Sequence, residues 1–419
     1  MDIIFGLFSL VGLLFIAWLL SKNKKAIKWR TILIGVILEG IFVYFMLNVP
    51  LGRWLLTSAA GGVQHVLNYS QEGIEFLFGG FFAEGTNVGF VFAIQVLSVI
   101  IFISALVSAL YYLRIIPFVV RVLGWIVGKV FGTTRVESFN TVANTMLGVV
   151  ESPLLIKPYL AKLTRSELFT VMVGGTASAS GAILLSYAQM GIDIKYLLIS
   201  VFSVPFVAIV MSKIMEPETE ESATNETIEM EDAGHTNIFE AISEGAVSGV
   251  KLAANIGGLL IAFISLLALV NGLLGVIGMN LATIFGYIFF PFALLVGIPF
   301  EDAFRAASII GTKLAANELI AFQEVLKLQE VLKPETVAIL TVALCNFANL
   351  SSIGQLIVGL GSLAPSKKKQ IASMSFKAII AGTMDQRARG FDLDPIFEHH
   401  AGPRHDDGRT RGRIHVSTR

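Results

Sequence analysis

Continuous apolar runs recur along the chain, and the longer ones are each long enough to cross a lipid bilayer. A helical span needs about 20 mostly apolar residues, whereas a strand of a membrane barrel would alternate apolar and polar residues over about ten positions. The uninterrupted runs therefore predict an all-α polytopic membrane protein. The predicted spans are Ile3–Leu20, Thr31–Leu47, Phe90–Leu113, Glu167–Tyr187, Tyr196–Ile214, Ile238–Leu274 and Thr336–Leu363, with a shorter apolar piece at Ile284–Ile298.

The composition agrees with this class. Only 15% of the 419 residues are charged, whereas soluble domains carry about 25%, and the mean hydropathy of +0.74 excludes a disordered chain. Basic and acidic residues both number 31, so net charge gives no reason to expect a nucleic-acid partner. Cys345 is the only cysteine, which excludes a disulfide framework and a cysteine-based metal site.

The short charged segments predict the topology. Five basic residues lie between Ser21 and Arg30, which places this loop in the cytoplasm and the N-terminus outside. Lys367–Lys369 marks a second cytoplasmic loop, and Glu216–Asp232, with eight acidic residues, is a solvated loop. Two mixed stretches, Leu51–Gly80 and Ile115–Phe131, suit interfacial helices better than spans.

Two segments of about one helix length do not fit a simple span. Val136–Tyr159 and Glu301–Phe322 each carry a carboxylate, Glu151 or Glu318, together with a helix breaker or polar cluster near the middle. A segment that enters the protein and returns to the same side fits them better. We therefore predict two re-entrant hairpins with buried glutamates, although either glutamate could instead cap a hairpin tip or face a water-filled loop.

Each hairpin is followed by a helix with small polar residues in its middle. The first such helix contains Gly174–Gly181 and the second contains Asn346–Ser352. Paired interrupted helices in two halves are typical of transporters with inverted repeats and a substrate site at mid-membrane. Asn349 and Ser352 are therefore candidate site residues, with interhelical packing as the alternative.

Other residues and motifs narrow the chemistry. Asn144 and Ser178 could supply hard oxygen ligands to a cation, or could serve only in packing. Lys313 is expected to pair with a carboxylate, and Phe347 is expected in the core. The sequence contains no H-E-x-x-H, Walker A lysine motif or G-x-S-x-G, so we predict no enzyme of those classes. No histidine falls within a predicted span, which argues against a histidine proton relay.

Several motifs in register resemble the concentrative nucleoside transporter family over about residues 1 to 384. They are Gly148–Leu155, Thr164–Phe169, Gly174–Ser178, Gly311–Lys313, Asn317–Glu318 and Phe347–Ser352. The resemblance implies a homotrimer in a bacterial inner membrane, in which each protomer has scaffold helices and a mobile transport domain made of the two hairpins and two unwound helices. It also implies elevator-type alternating access that is driven by a sodium or proton gradient.

The resemblance and the composition together divide the chain into six regions. Residues 1–135 are N-terminal and scaffold helices, 136–214 the first transport repeat, and 215–237 the acidic loop. Residues 238–300 are a scaffold helix with its connection, 301–384 the second transport repeat, and 385–419 a polar tail.

The resemblance also assigns the binding residues. Glu151 and Ile183 would lie at the base end of a nucleoside, while Glu318, Asn349 and Ser352 would hold ribose hydroxyls, with Asn317 beside them and Phe347 lining the pocket. The sodium site would use the side chains of Asn144 and Ser178 and the carbonyl groups of Leu147, Ser178 and Ala179. Sodium is favoured over protons because Asn144 and Ser178 are both present.

The chain departs from the family pattern at two places. Val149 and Val150 stand where many members carry Gln-Thr before the hairpin glutamate, which removes two side chains directed at the base and favours purines. From Asp385 the chain is polar and contains seven arginines and no lysine. This shift predicts a frame change, with a genuine tail as the alternative, and would leave the last helix incomplete and the chain inactive or poorly folded. A proton symporter and a passive channel are the other functional alternatives.

Overall fold

The computed structural model describes residues 2–81, 91–224 and 235–384. Within these ranges the regular structure is entirely helical, and the fold matches the predicted all-α membrane class. Five helices are long and apolar enough to span a membrane: Trp29–Asn48, Ala93–Tyr112, Arg165–Gln189, Ile194–Met215 and Ile238–Gly275. Each of them overlaps a predicted span.

The first part of the chain forms ten α-helices. Their bounds are α1 Asp2–Leu19, α2 Trp29–Asn48, α3 Pro50–Phe78, α4 Ser98–Tyr112, α5 Ile115–Phe131, α6 Arg135–Ala143, α7 Lys157–Leu160, α8 Arg165–Ala177, α9 Gly181–Gln189 and α10 Ile194–Met215. A π turn, Ala93–Leu97, leads into α4, and a 3-10 turn, Ser152–Ile156, leads into α7. The helices α6 and α7 with the turn between them form hairpin 1, and α8 and α9 form the first broken helix.

The second part repeats this order with eight helices. Their bounds are α11 Ile238–Gly275, α12 Leu281–Leu295, α13 Phe300–Ala315, α14 Glu318–Leu328, α15 Pro334–Leu344, α16 Leu350–Gln355, α17 Gly361–Leu363 and α18 Lys368–Thr383. Hairpin 2 consists of α13 and α14. The second broken helix is α15 to α17, with a π turn at Leu356–Leu360. The repeated unit thus begins with two successive helices, α4–α5 or α11–α12, before each hairpin.

Hydrogen bonds bring the predicted cytoplasmic loops to one end of the molecule, which we call the basic end. The backbone N–H of Lys22 donates to the Met215 carbonyl at 3.0 Å, and Lys367 Nζ donates to the Leu163 carbonyl at 2.8 Å. The base of hairpin 1 therefore lies near this end, because Leu163 closely follows α7 and Glu137 near the start of α6 pairs with Lys213, two residues before Met215.

The opposite end is defined by a small apolar cluster. Leu47 near the end of α2 and Tyr196 near the start of α10 pack there with Ala338 near the start of α15. Since α15 follows hairpin 2, this hairpin enters from the end opposite to hairpin 1. The two repeats are therefore inverted, as the sequence pattern predicts.

Local sequence explains where two hairpin arms, α6 and α14, and the first broken helix begin. Thr134 and Thr164 cap α6 and α8 and form capping boxes with Glu137 and Glu167, because the threonine hydroxyl and the glutamate satisfy backbone N–H groups reciprocally. Asn317 caps α14 in the same way by accepting from the backbone N–H of Ile320 at 3.0 Å.

Hairpin 2 differs from its predicted bounds. Glu301–Phe322 was the predicted segment, but the second arm continues to Leu328. The reason is that the break lies at Ala316–Asn317, so that Glu318 starts a new arm of 11 residues instead of marking the midpoint of a short one.

The last span of each repeat differs in length. The helix α10 has 22 residues, whereas α18 has 16 and ends at Thr383. An apolar cavity of about 640 Å³ is lined by Thr383 and Met384 together with residues of α12 and α13. The tail from Asp385, on which the frame-change prediction rests, lies outside the described residues.

Candidate functional site

A cavity of about 660 Å³ lies where the two hairpin tips and the two broken helices meet. One wall is formed by α11, whose residues Leu252–Leu259 face it in part. The cavity is lined by eight of the nine predicted substrate residues: Val149, Val150, Glu151, Ile183, Asn317, Glu318, Phe347 and Asn349. The ninth, Ser352, lies behind them and is fully buried.

Glu318 and Asn349 form a buried polar pair across two elements. Asn349 Nδ2 donates to Glu318 Oε2 at 3.0 Å, and the two residues are 5% and 3% exposed. Glu318 is the first residue of α14, where the helix dipole favours a negative charge. The remaining lone pairs of this carboxylate can accept hydrogen bonds from hydroxyl groups of a ligand in the cavity.

The neighbouring serines fix Asn349 in place. Its Oδ1 accepts from Ser351 Oγ at 2.6 Å and from the backbone N–H of Ser352 at 3.1 Å. Ser352 Oγ in turn donates to the Phe347 carbonyl. Ser352 therefore supports the site from behind instead of lining it, and the Asn349 amide is oriented before any ligand arrives.

Glu151 was predicted to be buried like Glu318, and this prediction is wrong. Glu151 is exposed, since it lines both the main cavity and a second one. Its Oε2 accepts from the backbone N–H of Gly148 at 2.9 Å. The carboxylate thus closes the turn of its own hairpin tip, and the residue lines both cavities.

Val149 and Val150 pack against two glycines on the broken helices. A Cβ on Gly175 would lie 2.6 Å from Val149 Cγ2, and one on Gly359 would lie 2.7 Å from Val150 Cγ2. Methyl groups of the two valines therefore occupy the positions where a side chain on Gly175 or Gly359 would lie. The packing of the hairpin 1 tip thus requires glycine at both positions. These contacts join hairpin 1 to both repeats.

The two helix breaks are also joined directly. The backbone N–H of Phe347 donates to the Ser178 carbonyl at 3.0 Å. Phe347 is 8% exposed, so its ring is largely in the core, as predicted, and one face reaches the cavity.

The predicted side-chain ligands of the cation lie within hairpin 1 and at the first helix break, because Asn144 caps the end of α6 and Ser178 the end of α8. Asn144 Nδ2 donates to the Asn140 carbonyl at 2.9 Å, and Asn144 Oδ1 accepts from Ser152 Oγ at 2.6 Å. Ser178 Oγ donates to the Gly175 carbonyl at 3.2 Å. Asn144 Nδ2 would lie 2.8 Å from a Cβ on Gly174, one helical turn before Ser178, so the two side chains share one region.

Lys313 is fully buried beneath the second break. Its Nζ donates to Asn346 Oδ1 at 2.5 Å and to the Ala343 carbonyl at 3.1 Å. The lysine therefore holds the unwound segment in place.

Four polar residues of the cavity were not assigned from the sequence: Ser180, Asn255, Ser351 and Gln355. Ser180 and Ser351 belong to the small polar runs in the two broken helices, so their positions carried a signal. Asn255 also carried one, since it is an amide flanked by apolar residues and glycines in the middle of α11. Gln355 had none, because a helix of uncertain rotation does not show which face its glutamine occupies.

A second cavity of about 480 Å³ continues from Glu151 between hairpin 1 and the pair α4 and α11. It reaches His235 and Glu244 near the start of α11, whose Nδ1 and Oε2 atoms lie 3.6 Å apart. The two cavities share Glu151, Ser180 and Leu252 in their linings, so they adjoin at the tip of hairpin 1.

Three family models match successive parts of the chain. They are described as Na+ dependent nucleoside transporter N-terminus over residues 8–81, nucleoside recognition over residues 93–193, and Na+ dependent nucleoside transporter C-terminus over residues 196–388. The nucleoside permease NupC of Helicobacter pylori is 42% identical over 398 residues, covering 90% of this chain and 95% of that protein. An uncharacterized transporter of Haemophilus influenzae is 41% identical over 397 residues, covering 92% and 95%.

Solved structures agree with the sequence matches. A structure of CNTnw in an inward-facing substrate-bound state has a TM-score of 0.89 and 36% identity, covering 93% of this chain and 98% of that chain. Inverted repeats around a cavity between two hairpins define a secondary membrane transporter. The chain belongs to the concentrative nucleoside transporter family.

Proposed function

We propose that this protein is a sodium-coupled nucleoside importer. The observation that carries the proposal is the pair of Glu318 and Asn349, which presents a carboxylate and an oriented amide to one end of the cavity. Hydroxyl groups that donate to a carboxylate form short, charge-assisted hydrogen bonds, and a ribose presents two neighbouring hydroxyls. The base would then lie toward Glu151, Ile183 and the tip of hairpin 1.

Sodium is the proposed coupling ion, travelling as a co-substrate. Oxygen ligands from amides, hydroxyls and carbonyls suit a hard cation, and Asn144, Leu147, Ser178 and Ala179 would provide them. Asn144 Oδ1 and the Ser178 carbonyl each accept one hydrogen bond, at 2.6 Å and 3.0 Å, and retain a second lone pair. Proton coupling is the alternative.

The transport step would be an elevator-type motion in a homotrimer within a bacterial inner membrane. The hairpins and broken helices would move together, because the Phe347–Ser178 hydrogen bond and the valine contacts join them. The scaffold would include α4 and α11. Apolar side chains of α11 such as Ile261 and Leu269 are 72% and 60% exposed, which supports their contact with lipid or with neighbouring protomers.

Purines are the proposed preferred substrates. Val149 and Val150 offer no hydrogen bond to a base, and the apolar tip accommodates a larger ring face. Competition of labelled uridine uptake by inosine and by cytidine tests this point. Stronger inhibition by cytidine would contradict it.

Uptake of radiolabelled nucleosides into proteoliposomes, with and without an inward sodium gradient, tests the main proposal. Accumulation above the external concentration is expected only with the gradient, whereas a passive channel would only equilibrate. Ser178→Ala and Asn144→Ala should weaken the sodium dependence. Ser200→Ala is the matched control, since Ser200 is buried and bonds to the Val342 carbonyl at 3.4 Å.

A second candidate is an inactive member of the family with an incomplete last helix. It is favoured by the short α18 and by the apolar cavity beside Thr383. Sequencing the DNA around codon 384 tests the frame change. A one-base shift that restores an apolar helix would support this candidate, and an unbroken reading frame would contradict the frame change.

A further inference from the structure

The polar side chains that line the main cavity fall into two groups. Asn317 and Asn349 use their amide oxygens to cap α14 and α16, and Ser351 donates to Asn349. Gln355 and Ser180 also line the cavity, but neither side chain has a hydrogen-bond partner anywhere in the described ranges. Asn255, on the proposed scaffold helix α11, shares this property. The first group is committed to the protein, whereas the second is available to a ligand.

Ser180 is the more unusual of these two. The residue is 5% exposed, and its Oγ is a buried hydroxyl without a partner. Leaving such a group unpaired costs free energy, so native proteins keep few of them. Ser180 Cβ would lie 3.5 Å from a Cβ on Gly148, which places this hydroxyl beside the tip of hairpin 1.

Gln355 approaches the same tip from the second repeat. Ser351, Gln355 and Gly359 follow one another at intervals of four residues, so they share one face of the segment with a rise of about 6 Å between neighbours. Ser351 belongs to the Asn349 network, and Gly359 contacts Val150. Gln355 therefore lies between the polar pair of Glu318 and Asn349 and the apolar tip of hairpin 1.

The chemistry of these two groups matches the edge of a nucleobase. A glutamine amide has one acceptor oxygen and two N–H donors, and a serine hydroxyl can donate or accept. A glutamine pairs bidentately with a base edge that presents a donor and an acceptor side by side. Val149 and Val150 provide no such groups, so a base edge buried there would otherwise lose its hydrogen bonds to water.

We propose that Gln355 and Ser180 bind the polar edge of the base and set the base selectivity of this transporter. The inference rests on the proposed function, since it requires a nucleoside whose ribose lies at Glu318 and Asn349. The substrates it favours are nucleosides whose six-membered ring carries a donor next to an acceptor, such as inosine. Purine riboside, which lacks the oxygen substituent of inosine, has the same ribose and nearly the same shape.

The test compares inosine with purine riboside, by proteoliposome uptake and by competition for labelled inosine bound to the purified full chain. Wild-type protein should favour inosine. Gln355→Leu and Ser180→Ala should each weaken the uptake and binding of inosine by about 3- to 10-fold. They should change the uptake and binding of purine riboside by less than about 2-fold. Gln329→Leu is the matched control, because Gln329 is an exposed glutamine just after α14 and outside the cavity lining, and it should leave the ratio unchanged.

Stability separates this role from a structural one. Ser180→Ala removes an unpaired hydroxyl, so it should leave the melting temperature equal or higher, whereas a structural serine would lower it. The inference is overturned if wild type does not distinguish the two nucleosides, if neither variant changes their ratio, or if Gln329→Leu changes it as much as they do. If wild type neither transports nor binds any nucleoside, the proposed function fails as well.

Discussion

Each hairpin carries two acidic residues at matching places. One is the buried third residue of the first arm, Glu137 or Asp302, and the other is a glutamate at the tip, but the surroundings of these residues differ between the hairpins. Glu318 at the tip of hairpin 2 is buried and bonded to Asn349. Glu151 at the tip of hairpin 1 is exposed and bonded to its own turn. The same sequence pattern thus gives a preformed site in one repeat and a self-closing turn that faces open space in the other.

The acids of the first arms differ in their partners. Glu137 of α6 pairs with Lys213 of α10 and accepts from Thr170 Oγ1 at 3.0 Å. Asp302 of α13 accepts from Thr336 Oγ1 at 2.7 Å and from the backbone N–H of Lys333 at 2.9 Å. In repeat 1 the last span therefore holds the hairpin by a buried ion pair, whereas in repeat 2 the start of the broken helix holds it by neutral donors.

The largest effect on stability is expected when the acid of a first arm, Glu137 or Asp302, is replaced. The loss of stability should be greater at Glu137 than at Asp302. Glu137→Gln leaves the Lys213 charge buried, which should lower the free energy of unfolding by about 3 to 5 kcal/mol. Asp302→Asn keeps acceptors for both donors and should cost about 1 to 2 kcal/mol. Thermal melting of the purified variants measures the difference. Equal losses of stability would contradict the different roles assigned to the two acids.

The tip glutamates should differ in transport. Glu318→Gln removes the charged acceptor of the site and should lower nucleoside uptake by more than about 100-fold, or about 2.7 kcal/mol. Glu151→Gln can still accept from Gly148 and should lower uptake by about 10-fold. Initial rates in proteoliposomes decide the order.

The control for both tip variants is Glu330→Gln, an exposed glutamate near the base of hairpin 2. This variant should transport normally. Membrane insertion of all three variants should match wild type. A greater loss from Glu151→Gln than from Glu318→Gln would reverse the assigned roles.

The valine contacts at the tip of hairpin 1 should behave as a coupled pair. Gly359→Ala places a Cβ 2.7 Å from Val150 Cγ2, and such overpacking should cost about 1 to 3 kcal/mol of stability. Val150→Ala in the same chain should recover most of this loss. Gly175→Ala with Val149→Ala should recover less, because that Cβ would also lie 3.3 Å from Val149 Cα, and a double-mutant cycle of melting temperatures compares the two pairs.

The smallest effect is expected at Glu216, which joins the repeats at the basic end. Its carboxylate bonds to Arg165 Nε of α8 at 3.0 Å and to Lys377 Nζ of α18 at 2.9 Å. Burial raises the pKa of Glu216, but the hydrogen bonds and charges of Arg165 and Lys377 outweigh it and hold the pKa below its ordinary value of 4.5. Glu216→Gln should cost about 1 kcal/mol at pH 7.

The sign of this pH dependence follows from the lowered pKa. The stabilisation is complete above about pH 4.5, the ordinary value, and is lost as pH falls through the lower folded-state pKa. The melting temperatures of wild type and Glu216→Gln should therefore converge in acid. Glu220 is an exposed neighbour in the same loop, and Glu220→Gln should have the melting temperature of wild type at every pH. If the difference in melting temperature between wild type and Glu216→Gln grows in acid, the stabilising role of the ion pairs is contradicted.

The sequence by itself determined the helical membrane class, the two hairpins and the inverted order. These features follow from local patterns: apolar run length, basic loops, capping boxes such as Thr164 with Glu167, and paired breaks in two helices. Motif resemblance also brought together the residues that line the cavity. Each of these signals lies within one short segment of chain.

Only the tertiary structure decided what each side chain meets. Glu151 and Glu318 share a pattern, but their burial depends on which elements pack beside each tip. Val150 packs on Gly359, and Gln355 reaches the cavity, because the second broken helix takes one rotation against hairpin 1. A sequence records neither that rotation nor the contacts between distant segments, since these are fixed only when the whole bundle packs around the cavity.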